Sequence, residues 1–170
     1  MTALPRRIVV TDANVLINLI HVARLDICAS LPGYEFVIPD HVREEIKDSG
    51  QRTALDEAIA RSVFRIESIT TIVGIALFDE LKERMGHGEA ACLALAVGRD
   101  WMVASDEKGR FRREAESRIG STMLIGTKHL YLLAIGAGLI GIDEADADKD
   151  MLEKHHRFRM DFDSFHNLMR

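Results

Sequence analysis

Cysteine is scarce in this chain, with two residues in 170, Cys28 and Cys92, far apart and each set in an apolar helical pattern. That excludes a disulfide framework and a CxxC metal knuckle, and it points to buried free thiols in a reducing cytoplasm. Long apolar runs are missing too. Nothing approaches the roughly 18 residues of a membrane span, and the start MTALPRR has no apolar signal core, so the expectation is a cytoplasmic chain with no membrane partner. Excess positive charge is absent. A formal net charge of -5 argues against a nonspecific nucleic-acid coat, whose field is usually positive, but leaves room for an enzyme that gathers acids at a metal and keeps its cations in a local patch. Repeats and low-complexity segments are also lacking.

What is present is enough apolar sequence, 47% of the chain, to bury the core of one domain. Strands and helices alternate along it. Ile8, Val9 and Val10 form a continuous β-branched run, the mark of a strand covered on both faces of a parallel sheet, over residues 7–11. Helical spacing follows over 15–20 and 25–31, then a strand at 35–38 and a helix opened by Pro39-Asp40 and running to about Asp48. Further helices are predicted at 53–61, 71–85, 88–98, 108–117 and 128–135, and further strands at 63–67, 101–104 and 122–125. The fold class implied is α/β with a doubly wound parallel sheet. After Gly141 the chain turns polar and acidic, and two more helical pieces are expected there as an extension, 142–170, of the domain at 1–141.

Acids punctuate this pattern where chemistry sits in open α/β sheets, beyond the carboxyl ends of strands and near the point where strand order reverses. Asp12 ends the first strand in "IVVTDANVLI", and Asp106 follows the fourth in "MVASDEKGR". Asp12 alone also fits a helix cap. In "IPDHVREEI", Glu45 lies about 60° around the helix from apolar Val42, whereas Glu44 lies roughly 160° away, so Glu45 is the acid that turns inward. In "GHGEAACLALAV", Glu89 sits in a first turn, where the helix dipole favours its ionised form, on the face shared with Leu93, Ala96 and Val97.

In that order, and in those local motifs, the sequence resembles the PIN domain family, a metal-dependent ribonuclease fold found in many prokaryotic toxin–antitoxin toxins. The resemblance covers about Arg7 to Gly141 and includes "GSTMLIGTKHLYLLA" as the closing strand and helix. It departs at Glu107, where relatives often carry a second aspartate, and it fades after Gly141. It implies a three-layer α/β/α domain with about five parallel strands, an RNA substrate, an antitoxin partner and a homodimer. It also implies that Asp12, Glu89 and Asp106 are the principal metal ligands, with Glu45 binding metal or orienting water and Glu107 in an outer shell.

Elementary electrostatics supports a cation independently. At roughly 5 Å and an effective dielectric near 20, two carboxylates repel by about 3 kcal/mol. Oxygen ligands with no Cys or His close by select Mg²⁺ or Mn²⁺ over zinc. Asn14 is a candidate to fix Asp12 by a hydrogen bond or to serve as a helix-start amide. Ser105, beside the fourth acid, is a supporting candidate by the same resemblance. Thr127 is read as a helix cap.

For substrate binding the run "KGRFRREAESR" offers Lys108, Arg110, Arg112, Arg113 and Arg118 against two glutamates, a local charge of +3 beginning beside Asp106. Arg110 is the first choice among them. "GAGLIG" spells GxGxxG but follows a helix and opens no βαβ unit, so it reads as a helix stop and turn. His155, His156 and His166 read as surface histidines. Two rivals stay open. A haloacid-dehalogenase-like phosphatase would use Asp12 as phosphoryl acceptor, but needs a second acid where Asn14 stands. A non-catalytic binding module would not require all the acids to be retained.

Overall fold

A computed structural model describes residues 4–170. Five parallel strands, β1 (Arg7–Thr11), β2 (Tyr34–Pro39), β3 (Arg65–Glu67), β4 (Met102–Ala104) and β5 (Leu124–Ile125), form one sheet in the order β3-β2-β1-β4-β5. The order reverses between β1 and β4. There Val9 aligns with Phe36 on one side and Met102 on the other, and Val9 and Val10 are fully buried, as a strand with neighbours on both edges and helices on both faces requires.

The helices are α1 (Ala13–His21), α2 (Ile27–Ser30), α3 (Asp40–Glu45), α4 (Ser49–Ala60), α5 (Ile72–Leu81), α6 (His87–Ala96), α7 (Gly109–Ile119), α8 (Thr127–Gly136), α9 (Ile142–His155) and α10 (Phe165–Leu168). A short 3₁₀ turn, Ser121–Met123, leads into β5. Helix α6 crosses the middle of the sheet against β1, β2 and β4 and is itself covered by α3 and α5. Its Ala90 to Ala96 are all buried, and the alanines let its neighbours approach closely. Helix α1 packs with α4 and α8.

Differences from the sequence reading have local causes. The helix expected to run to Asp48 stops at Glu45, because Asp48 caps the next one: its Oδ1 accepts from the Gln51 N–H at 2.9 Å. Helix α4 therefore begins at Ser49 rather than 53, with Gly50 masking its start. Helix α5 ends at Leu81, four residues short of the expected stop. "GAGLIG" is a helix stop and turn, with Gly138 at φ 72°.

The segment after Gly141 is bound into the same core. Ala145, Leu152, Met160 and Phe165 are buried, and Asp148 accepts hydrogen bonds from Arg24 and from Tyr131. Among the described residues no helix is long and apolar enough to cross a membrane.

Candidate active site at the strand-order reversal

The ladder continues past the last strand residues and carries the first and fourth motifs into register. The Asp12 N–H donates to the Ala104 carbonyl at 2.9 Å, and the Ser105 N–H to the Ile125 carbonyl at 2.9 Å. Asp12 and Ser105 thus stand side by side. The Ser105 hydroxyl donates to Asp12 Oδ2 at 2.9 Å and accepts from the Glu107 N–H at 3.1 Å. Asp12 Oδ1 accepts from the Ala13 N–H at 2.8 Å, so the acid also caps α1. Cap and site acid are one residue.

Asp12 is 3% exposed. Burial pushes its pKa up to about 7, against the Ser105 and Ala13 hydrogen bonds, and the nearby charges of Glu89 and Glu45 push in the same direction as burial. Glu89, half-buried, is raised first by burial and then by Glu107 and Glu45, with the Gly86 backbone opposing. Four carboxylates, those of Asp12, Glu45, Glu89 and Glu107, therefore share one field. Glu45 reaches this group as expected although much of its side chain is exposed: its Oε1 accepts from the Gly88 N–H at 2.7 Å, at the amino terminus of α6. A Cβ at Gly88 would run into that carboxylate, with Glu45 Cδ only 2.8 Å away. Gly88→Ala should swing Glu45 off the helix end and remove one charge-assisted hydrogen bond, about 1.5–3 kcal/mol. Thermal melts and crystallography would show this as a modest loss of stability with a displaced Glu45.

Asp106 is held differently. Its Oδ1 accepts from the Thr127 N–H at 2.8 Å, and its Oδ2 from the Thr127 hydroxyl and from Asn18 Nδ2 at 3.1 Å. Burial raises its pKa, and those hydrogen bonds and His129 oppose the rise. Thr127, expected as a cap, is instead an Asp106 partner. Asn14 does not fix Asp12: its Oδ1 accepts from the Asp106 N–H at 3.1 Å and its Nδ2 donates to Glu107 Oε1 at 3.2 Å. It bridges the fourth motif to α1.

Asn18 was missed by the sequence reading. It is buried at 6% exposure on the inner face of α1, one turn after Asn14, and a lone amide in the stripe "VLINLI" was the available signal. Asn18→Leu should remove one donor from Asp106 Oδ2 and leave that oxygen to the Thr127 hydroxyl alone, a change that crystallography of the variant would show.

The expectation of no Cys or His near the acids is corrected. Cys92 is fully buried in the field of Asp12, Glu45 and Glu89, and burial, reinforced by those charges, holds its thiol protonated. His129 lies near Asp106. The donors remain hard oxygens, since a protonated thiol is not a ligand.

Among the described residues, no group of three or more His, Cys, Asp and Glu side chains is arranged to hold an ion as it stands. The reason is visible in the hydrogen bonds: Asp106 is turned to Thr127 and Asn18, Asp12 to Ser105 and Ala13, and Glu45 to Gly88. By donor chemistry the residues fit a hard divalent cation, because three buried or half-buried carboxylates offer oxygen ligands whose charged form is disfavoured by burial.

The basic run divides by helical face. Lys108 and Arg112 line a cleft of about 170 Å³ that Ser105 and Asp106 also line, whereas Arg110 and Arg113 line a separate depression with Glu114 and Ser117. Arg110, the first choice from sequence, donates to the Arg84 carbonyl at 2.8 Å. Phe111 and Ala115 take the inner face between them.

Fold and site together define an α/β domain of nuclease type, with Asp12 and Asp106 beyond the carboxyl ends of the two strands flanking the reversal and Glu45 and Glu89 brought in by α3 and α6. A family model described as a PIN domain matches residues 8–170, and the chain belongs to that family, whose members are generally nucleases and typically use divalent metals. The match runs through the segment after Gly141 as well. No curated protein matches the sequence.

Proposed function

We propose that this chain is a Mg²⁺- or Mn²⁺-dependent endoribonuclease that hydrolyses RNA phosphodiester bonds, and that it is the toxin of a toxin–antitoxin pair. One observation carries the enzymatic part: Asp12, Glu45, Glu89 and Glu107 share one field beside Asp106, and Asp12, Glu89 and Asp106 all hold protons more tightly than free carboxylates. Asp12, Glu89 and Asp106 would hold the cation, with Glu45 and Glu107 further out. Bound there, it supplies positive charge to the scissile phosphate and lowers the pKa of a water.

The chain's own residues do the positioning. Ser105 and the Ala13 N–H fix both oxygens of Asp12, while Thr127 and Asn18 fix those of Asp106. Asn14 ties Glu107 and the Asp106 backbone to α1. A phosphatase reading loses support because Asn14 is fully engaged as a bridge and has no carboxyl proton to give.

The partner proposals rest on other grounds. The antitoxin rests on the family resemblance, and a gene for a small protein beside this one would support it. A homodimer is supported by the exposed apolar face of α5, where Ile72 is 87% and Val73 75% exposed. Sedimentation at increasing concentration tests it, and a monomer at high micromolar concentration would end it.

The enzymatic reading is tested by incubating labelled single-stranded RNA with the protein in Mn²⁺ and in EDTA. Cleavage in the first alone is expected, and cleavage in both would overturn the metal dependence. Manganese should also raise the melting temperature of the wild type through preferential binding to the native state.

A further inference from the structure

The cleft beside Asp106 joins two cations already offered for substrate binding to a second wall that the nuclease reading does not use. Lys108 and Arg112 come from the start of α7, Lys128 and His129 from the first turn of α8, and Phe158 and Arg159 from the segment between α9 and α10. That last segment is pinned across the cleft. The Phe158 N–H donates to the Leu152 carbonyl at 3.2 Å, the Met160 N–H to Glu153 Oε1 at 3.1 Å, and the Phe165 N–H to Asp146 Oδ1 at 2.6 Å.

We propose that this C-terminal segment completes a groove that grips one strand of RNA next to the scissile phosphate, the identity of the polyanion as RNA resting on the nuclease reading above. Charge, shape and chemistry agree on a single strand. The cleft gathers four cations against Asp106 and Asp161 on a chain whose net charge is -5. Its ion pairs are weak enough to be exchanged for phosphate: Lys108 meets Asp161 at 3.7 Å with both side chains mostly exposed, and Arg112 meets Glu116 through Nε.

His129 adds a donor: its Nδ1 accepts from the Gly126 N–H at 3.1 Å, which leaves Nε2 as the ring nitrogen free to donate. Phe158 supplies a face on which a base can stack. The cleft of about 170 Å³ has room for a phosphate and part of its nucleotide.

The experiment is fluorescence anisotropy with an end-labelled eight-nucleotide single-stranded RNA in EDTA, across a series of salt concentrations. Lys128→Ala with Arg159→Ala should weaken binding about 10-fold and reduce the slope of log affinity against log salt by about 1.4, because two phosphate contacts contribute about 0.7 each. Phe158→Ala should weaken binding about 10-fold with the slope unchanged, and Phe158→Trp should retain it. Should Phe158→Ala fail to fold by circular dichroism, the half-buried Lys128 and the exposed Arg159 decide the matter alone.

Unchanged affinity and slope in the double variant would overturn the groove. So would duplex RNA binding as tightly as the single strand, or an octaglutamate peptide binding more tightly than RNA. A wild type that shows these binding signatures yet never cleaves in Mn²⁺ removes the nuclease reading and leaves the groove. A wild type that cleaves while the variants bind normally removes the groove alone.

Discussion

Asp12→Asn is expected to lose RNA cleavage by on the order of 10³-fold and yet, in metal-free buffer at pH 8, to melt at a higher temperature than the wild type. The two effects share a cause. Asp12 ionises near pH 7 in the folded protein and near its ordinary 3.8 in the unfolded chain. The native state therefore binds the extra proton between those values, and the acid costs nothing below about pH 4. Stability is lost progressively as pH rises from there through about 7, and the full cost, about 4 kcal/mol by linkage, stands above it.

The amide removes that cost while keeping the α1 cap, since its oxygen still accepts from Ala13 and the Ser105 hydroxyl can turn to accept from its nitrogen. Melts of both proteins from pH 4 to 8 in EDTA would show the curves parting as pH rises. Curves that stay together would mean that Asp12 is not under electrostatic stress.

Asp106 gives the second large effect, with the opposite balance. Asp106→Ala strips partners from the Thr127 N–H, the Thr127 hydroxyl and the Asn18 amide, which are buried or nearly so. Unsatisfied buried donors cost about 1–3 kcal/mol each, so this variant should be strongly destabilised as well as inactive. Asp106→Asn keeps one oxygen for the Thr127 N–H, and the Asn18 amide and Thr127 hydroxyl can reverse to meet its nitrogen. It should fold nearly normally and lose activity on the order of 10³-fold. The pair separates the structural duty of Asp106 from its chemical one. Denaturant melts set beside a cleavage assay make the measurement, and an active Asp106→Asn would remove this residue from the mechanism.

Much of this was readable from the chain because strand ends and helix starts are local facts. The β-branched run before Asp12, the "MVAS" run before Asp106 and the angle between Glu45 and Val42 fixed where those carboxylates had to lie. Family resemblance supplied the roles. What stayed hidden was tertiary. Thr127 and Asn18 converge on Asp106 from helices 109 positions apart in sequence, and no pattern within either helix announces the meeting.

The basic run was half legible. Positions four apart share a helix face, which groups Lys108 with Arg112 and sets Arg110 apart, but which face borders the acids depends on β5 and α8 arriving beside it. The place of the C-terminal segment was out of reach, since Arg159 and Phe158 come to line a cleft with Asp106 only once α9 has packed on α8.

The proposed nuclease rests on carboxylates from strand ends (Asp12, Asp106), a helix start (Glu89) and a helix end (Glu45) acting at one cation-dependent hydrolytic site. Its most direct test is single-turnover cleavage of a labelled RNA by wild type and Asp12→Asn across a Mn²⁺ titration. The wild-type rate should rise from zero with the metal and saturate, with the variant flat throughout. Cleavage without metal, or an equal rate in the variant, would contradict it.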